Sequence, residues 1–177
     1  MSQSHDNRFA PDKETPIFLV GFMGAGKTTV GRALAAYLEY DFFDLDELIE
    51  ARASKSVREI FAELGEAEFR RLEHEAVRAC SDWSRAVIAL GGGAYVSEEN
   101  RTLLRRIGRT VWLDCPLDIC LRRVGEDTSR PLLGDEDTMR ELLEDRRAAY
   151  AGANYVAQTG ELSPEQLVIE ITRLLNS

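Results

Sequence analysis

The sequence predicts a three-layer α/β fold, in which a parallel five-stranded sheet carries helices on both faces. Five short apolar runs alternate with helical segments, and strands that are connected by helices pair in parallel. The first run leads into a glycine-rich loop and then into an amphipathic helix. The chain has 177 residues, of which 44% are hydrophobic, and this is enough to bury the core of such a sheet.

The first half of the chain contains two of the predicted strands, residues 17–20 and 41–44. Apolar residues at helical spacing, and Ser56 as a helix cap, indicate the helices that follow these strands. Helices are predicted over residues 29–38, 46–52, 57–64 and about 66–80.

The second half contains the other three predicted strands, residues 86–90, 110–113 and 155–157. Helix starts between and after these strands are marked by Ser97, by Pro116, by a capping box of Thr138 with Glu141, and by Ser163 with Gln166. The alternation of strand and helix therefore continues to the end of the chain.

Composition argues against several kinds of partner. The net charge of −9 is unfavourable for nucleic acid, because a phosphate backbone binds clustered lysine and arginine. Three cysteines without a CxxC pair favour buried thiols in a reducing, cytoplasmic environment. No stretch has the length and apolar character of a membrane span, so we expect no membrane partner.

The segment GFMGAGKT, residues 21–28, matches the phosphate-binding pattern GxxxxGK[ST] in full. It stands between a strand and a helix, which is the setting that this loop requires. Its amide N–H groups favour a phosphate, Lys27 adds positive charge, and the hydroxyl of Thr28 is placed for Mg²⁺. The pattern predicts nucleotide binding and leaves open a GTPase, a mechanical ATPase and a small-molecule kinase.

Two carboxylates are candidates for the acceptor side of the site. Asp44 and Asp46 end the second predicted strand, at the edge where parallel sheets bind their ligands. One carboxylate can hold Mg²⁺ or its water shell while the other accepts a hydrogen bond from an attacking hydroxyl. In the alternative interpretation, Asp46 only caps the following helix. No NKxD-like segment follows a strand, and this weakens the GTPase hypothesis.

Adjacent arginines recur on the predicted helices, at positions 70–71, 122–123 and 146–147. Neighbouring side chains on a helix point about 100° apart, so at most one arginine of each pair is expected to face a site. A guanidinium suits a planar carboxylate, because it can donate two parallel hydrogen bonds. Arg130 lies in a polar segment over residues 125–137, which we interpret as a mobile lid that closes over a transferring phosphoryl group.

With these residues assembled, the chain resembles shikimate kinase, a small-molecule kinase of the P-loop type. The resemblance runs in order over residues 17–155 and rests on the segments GFMGAGKTT, FFDLD, GEAEFRRLE, LGGGA, RPLL and RRAAY. Two residues depart from the family pattern: Leu45 between the two aspartates, and Ala148 where the family commonly has proline. The second departure leaves the choice between Arg146 and Arg147 open.

The resemblance implies a role for each candidate residue. ATP would be bound by Gly24, Ala25, Gly26, Lys27, Thr28, Thr29, Arg123 and Arg130. Mg²⁺ would be held by Thr28 and, through its water shell, by Asp44. Shikimate would be bound by Asp46, Arg70, Arg146 and the triple-glycine turn of Gly91, Gly92 and Gly93, for which a tight structural turn is the alternative. The catalytic residues would be Asp46, which orients or deprotonates the attacking hydroxyl, together with Lys27 and Arg130.

The resemblance also implies the reaction and the domain organisation. The γ-phosphoryl group of ATP would pass to the 3-hydroxyl of shikimate, in the route to chorismate and the aromatic amino acids. We expect a disordered polar tail over residues 1–16 and a single P-loop kinase domain over residues 17–177, acting as a cytoplasmic monomer. Within that domain, residues of about 45–80 would form a substrate-binding lobe and residues 125–137 the lid.

Two alternatives remain open at this point. A kinase for gluconate or for a nucleotide would use the same phosphate loop, but a nucleotide acceptor has no carboxylate and makes poor use of Arg70 and Arg146. A nucleotide-binding module without catalysis would be expected to have lost Lys27, Asp46 or Arg130, and all three are present.

Overall fold

A computed structural model of the chain describes residues 14–126 and 135–177. Arg130, the RPLL segment and the centre of the predicted lid lie outside the described residues, as does most of the predicted tail. Two residues at the end of that tail are held by the sheet. The carbonyl of Glu14 accepts a hydrogen bond from the Arg85 amide at 2.7 Å, and the carbonyl of Pro16 accepts one from the Arg109 amide at 2.9 Å.

The described residues form a parallel sheet of five strands in the order β2-β3-β1-β4-β5. The strands are β1 (Ile17–Val20), β2 (Asp41–Asp44), β3 (Ala86–Ala89), β4 (Arg109–Asp114) and β5 (Tyr155–Gln158). Every residue of β1 and β3 is buried, which is typical of a sheet that is covered on both faces. The predicted α/β fold with a five-stranded parallel sheet is confirmed.

Helices connect the strands and begin mostly at the predicted caps. In the described part of the chain they are α1 (Lys27–Leu38), α2 (Leu45–Ala53), α3 (Val57–Ala79), α4 (Glu98–Ile107), α5 (Leu117–Glu126), α6 (Glu136–Tyr150) and α7 (Pro164–Leu175). Ser56, Ser97 and Ser163 each accept a hydrogen bond from a backbone amide of the first turn, as predicted. Gly65 interrupts α3 with a φ of 82°, at the predicted boundary between two helices.

The N-terminal caps of two helices differ from the sequence prediction. The cap of α2 is Asp44, whose Oδ1 accepts a hydrogen bond from the Asp46 amide at 3.0 Å, so the interpretation of Asp46 as the cap is wrong. Helix α6 begins at Glu136 behind Asp135 and not at Thr138. The amide of Thr138 donates to Asp135 Oδ1 at 2.9 Å, because an aspartate three residues earlier caps the helix first.

The parallel arrangement places three loops at one edge of the sheet. The loops that follow β1, β2 and β3 leave neighbouring strands in the same direction, and the Leu90 amide still donates to the Leu19 carbonyl at 3.0 Å beyond the end of β3. The glycine-rich loop, Asp44 and the triple-glycine turn therefore converge where open parallel sheets bind ligands. No helix of the described residues is both long enough and apolar enough to cross a membrane.

Candidate active site

The glycine-rich loop after β1 is shaped to surround an anion. Gly24 and Gly26 have φ values of 75° and 92°, in the left-handed region that favours glycine, and Gly26 is the cap of α1. The loop amides can then turn inward at the positive end of the α1 dipole. The ammonium of Lys27 lies across the loop and donates hydrogen bonds to the carbonyls of Gly21 at 2.9 Å and Phe22 at 2.8 Å.

Asp44 connects this loop to the second strand. Its Oδ2 accepts a hydrogen bond from the Thr28 hydroxyl at 3.0 Å, while its Oδ1 caps α2. The carboxylate is nearly buried, and its two oxygens are oriented by one backbone amide and one side-chain hydroxyl. A carboxylate beside a hydroxyl is the kind of partial oxygen donor set with which proteins hold Mg²⁺ next to bound phosphates. No cluster of three metal-ligating side chains occurs in residues 14–126 or 135–177.

A cavity of about 450 Å³ joins the nucleotide and acceptor sides of the candidate site. Its walls include the loop residues Gly24, Gly26, Lys27, Thr28 and Thr29, the carboxylates Asp44 and Asp46, the turn residues Gly91 and Gly92, and Arg123. The Arg123 guanidinium also donates a hydrogen bond to the Gly24 carbonyl at 3.4 Å. Ala25, in the same loop, is fully buried. The structure thus brings most of the predicted ATP-binding residues to one cavity.

The triple-glycine turn packs against three of the predicted substrate-binding side chains. A Cβ would lie 2.7 Å from Asp46 Oδ1 if added at Gly91, 3.0 Å from Arg146 Nη1 at Gly92, and 2.5 Å from Arg70 Nη1 at Gly93. These separations are shorter than ordinary van der Waals contact, so a side chain on the turn would displace Asp46, Arg146 or Arg70. The absence of side chains on the turn therefore lets these three side chains approach its backbone.

Backbone freedom is not the reason for these glycines. None of the three has the positive φ of Gly24 and Gly26. In the described residues, the amides of residues 91–93 donate to no other group of the protein. The turn therefore presents N–H donors beside two guanidinium groups and one carboxylate.

Glu73 is a residue of the site that the sequence analysis missed. It is only 1% exposed and accepts hydrogen bonds from Arg70 Nη1 at 2.9 Å and 3.2 Å. Burial raises the pKa of its carboxyl, an effect that the charge of Arg70 opposes. The sequence contains a signal for this contact, because Arg70 and Glu73 stand three residues apart on one face of α3.

The structure distinguishes the members of the arginine pairs. Arg70 and Arg146 approach the triple-glycine turn, whereas the neighbours of these two residues do not. Arg71 binds Glu68 and Glu75 on the exposed face of α3, and Arg147 pairs with Asp114 at 3.6 Å and lies over the Trp112 ring at 5.5 Å. Arg146, and not Arg147, therefore lies at the turn, which answers the question that Ala148 left open.

Comparisons with known proteins identify the family of the chain. The family model described as "Shikimate kinase" matches residues 23–176. Shikimate kinase of Trichormus variabilis is 42% identical over 165 residues, which cover 91% of each chain, and that of Geobacter metallireducens is 43% identical over 169 residues, which cover 94% of each.

Solved structures give the same result. A structure described as shikimate kinase from Acinetobacter baumannii in complex with shikimate has a TM-score of 0.87 and 36% identity, and the match covers 93% of this chain and 94% of that one. The shikimate kinase structure from Aquifex aeolicus has a TM-score of 0.82 and 37% identity, with 91% and 96% covered. The resemblance inferred from the motifs is confirmed, and the chain belongs to the shikimate kinase family.

Proposed function

We propose that this protein transfers the γ-phosphoryl group of ATP to the 3-hydroxyl of shikimate, giving shikimate 3-phosphate and ADP. The observation that carries the proposal is the packing of Asp46, Arg146 and Arg70 against successive glycines of the turn. The relative from Acinetobacter baumannii, which shares the fold, was solved with shikimate. A ring that carries a carboxylate and several hydroxyls is the acceptor that this set of side chains suits.

The positions of these residues around the cavity determine how an acceptor would be oriented. Asp46 lines the same cavity as Lys27 and Thr28. Arg70 and Arg146 do not line this cavity and approach the turn at Gly93 and Gly92. The carboxylate of an acceptor would therefore bind the two arginines, and its hydroxyls would point towards the phosphate loop. This is the orientation that phosphoryl transfer to a hydroxyl requires.

Asp46 is the residue that we assign to the attacking hydroxyl. It stands in the first turn of α2, directly after the capped strand end, so its backbone position is determined by the Asp44 cap. A carboxylate there can accept a hydrogen bond from the hydroxyl and orient its lone pair towards the γ-phosphorus. Transfer of this kind depends mainly on positioning and electrostatics, so orientation by Asp46 contributes directly to the rate.

On the nucleotide side, the loop amides and Lys27 would neutralise the phosphate oxygens. Arg123 and Thr29 line the same cavity. We assign both residues to binding of the nucleotide. Arg130 keeps the predicted role of closing over the phosphoryl group, and it lies outside the described residues. The monomeric state and cytoplasmic location likewise remain predictions.

Thr28 and Asp44 are the residues that would hold Mg²⁺. Their oxygens, 3.0 Å apart, fit an ion that usually keeps waters and takes one or two protein ligands beside substrate phosphates. When bound, Mg²⁺ supplies positive charge to the β- and γ-phosphate oxygens. The protein contributes the orientation of the two oxygens.

The test is ADP release by the purified protein with Mg-ATP and one acceptor at a time: shikimate, gluconate or AMP. We expect turnover with shikimate only, and a loss of at least about a hundredfold in kcat for Asp46→Asn. Asp41→Asn is the matched control, because Asp41 is exposed and begins β2, the strand that leads into the helix of Asp46. Faster turnover with gluconate or AMP than with shikimate would refute the proposal.

A further inference from the structure

The hydroxyl of Tyr150 is a buried polar group that the proposed mechanism does not yet use. Tyr150 is the last residue of α6 and is 0% exposed. Its hydroxyl donates a hydrogen bond to the carbonyl of Gly92, in the middle of the triple-glycine turn, at 2.6 Å. The end of α6 is therefore tied directly to the turn that follows β3.

The same hydroxyl interacts with Arg146, one helical turn earlier in α6. Burial raises the pKa of Tyr150 to about 12, while the charge of Arg146 and a hydrogen bond from it act in the opposite direction. The hydroxyl thus stays protonated at neutral pH and donates to Gly92, and both it and Arg146 Nη1 lie beside this glycine, 3.7 Å and 3.0 Å from the place that a Cβ would take. Both groups that flank Tyr150 belong to the proposed acceptor site.

The bond to Gly92 has a consequence for the next amide. The peptide between Gly92 and Gly93 is trans, so its C=O and N–H point in opposite directions. Holding the Gly92 oxygen on Tyr150 therefore determines where the Gly93 N–H points. That amide donates to no other group of the described residues, so its direction is available for a bound oxygen.

We propose that Tyr150 is a positioning residue for the acceptor. Its hydroxyl holds the Gly92 peptide and the Arg146 guanidinium in one arrangement, in which the N–H donors of the turn and the carboxylate-binding arginine act on the same molecule. The inference rests on the proposed function, since it concerns how the site holds a hydroxylated carboxylate.

Tyr150 also packs in the core, with its ring 6.0 Å from that of Trp112. The substitution Tyr150→Phe keeps this ring and removes only the hydroxyl, so packing and positioning can be separated. Tyr95→Phe is a matched control, because Tyr95 is equally buried and its hydroxyl donates to another glycine carbonyl, that of Gly152, at 3.1 Å.

The experiment measures the KM values for shikimate and ATP and, by calorimetry without nucleotide, the Kd of shikimate for the three proteins. In Tyr150→Phe we expect the KM and Kd of shikimate to rise about tenfold, the loss of one well-placed hydrogen bond, with the KM of ATP changed less than about twofold. In Tyr95→Phe we expect shikimate binding to change less than about twofold, while thermal stability falls similarly in both variants.

An unchanged shikimate Kd in Tyr150→Phe, or equal weakening in both variants, would overturn the inference and leave the proposed function intact. A wild-type protein that binds no shikimate would overturn the proposed function, and this inference with it. Calorimetry requires only folded protein, so a variant with low turnover still gives a decisive result.

Discussion

The nearly buried carboxylate of Glu73 binds the guanidinium of Arg70 at 2.9 Å, across one turn of α3. Glu66, which is mostly exposed, binds the other side of the same guanidinium at 3.3 Å. Arg70 is therefore held in place before any acceptor arrives, and it reaches the turn with its rotamer already restricted. A carboxylate ligand would then bind without the full entropic cost of ordering a long side chain.

The first prediction concerns how Glu73 changes stability with pH. Its pKa is raised above the ordinary value of 4.5 in the folded protein, so Glu73 contributes most to stability below that value, and the contribution is lost as the pH rises through the folded pKa. We expect the free energy of unfolding of the wild type, minus that of Glu73→Gln, to fall between pH 4 and pH 8. Paired urea titrations across this range measure it, and a difference that grows with pH would contradict the assignment.

The second prediction separates Arg146 from Arg147. Arg146→Lys should raise the KM of shikimate at least about tenfold, because lysine cannot donate two parallel hydrogen bonds to a carboxylate. Arg147→Lys makes the same chemical change at a residue that contacts Trp112 and Asp114 and not the turn. It should leave the KM of shikimate within about twofold of the wild-type value. Steady-state kinetics of the two variants test which arginine binds shikimate. A larger rise in the KM of shikimate for Arg147→Lys than for Arg146→Lys would contradict the assignment of Arg146.

The third prediction uses the close approach of Gly93 to Arg70. A Cβ at this position would lie 2.5 Å from Arg70 Nη1, which is the end of a flexible side chain, so Gly93→Ala should fold with Arg70 displaced. We expect the KM of shikimate to rise about tenfold, as for the loss of an arginine hydrogen bond.

The control for this change is Gly65→Ala, at the interruption of α3. Position 65 has no atom within 4 Å of an added Cβ but has a φ of +82°, so alanine there should cost about 1 kcal/mol of stability and leave the KM unchanged. Kinetics and urea unfolding of both variants distinguish a local clash from general strain. Equal effects on the KM would contradict the account of Gly93.

The fourth prediction concerns Asp44, which both caps α2 and faces Thr28. Asp44→Asn keeps a side chain that caps helices well but removes the charge, so the melting temperature should stay within a few degrees. The Mg²⁺ concentration for half-maximal activity should rise about tenfold or more, because a carboxylate is the ligand that Mg²⁺ favours. Activity is measured against Mg²⁺ at fixed ATP. An unchanged dependence of activity on Mg²⁺ would show that Asp44 does not help to hold the ion.

Much of the fold and part of the site could be predicted because their signals are local. The phosphate loop is a contiguous pattern, and the strand ends that carry Asp44 and Gly91 follow from short apolar runs with glycine or aspartate after them. In a parallel sheet such ends meet at one edge, so their proximity needed no knowledge of distant contacts.

The remaining features depend on contacts that a linear pattern does not specify. Asp44 and Asp46 are both capable caps, and only the backbone path shows that Asp44 caps α2. Tyr150 and Gly92 stand 58 positions apart, so their hydrogen bond depends on how α6 packs against the sheet. The Glu73 contact differs from these, because its spacing to Arg70 is local and could have been predicted.

The most direct test of the account is identification of the product by phosphorus–proton NMR correlation after incubation with Mg-ATP and shikimate. We predict one new phosphate ester, whose phosphorus couples to the proton on carbon 3 of the shikimate ring, formed together with an equal amount of ADP. Coupling to the proton on another ring carbon, or ADP without an ester of shikimate, would contradict the proposed orientation of the acceptor between Asp46 and the arginines.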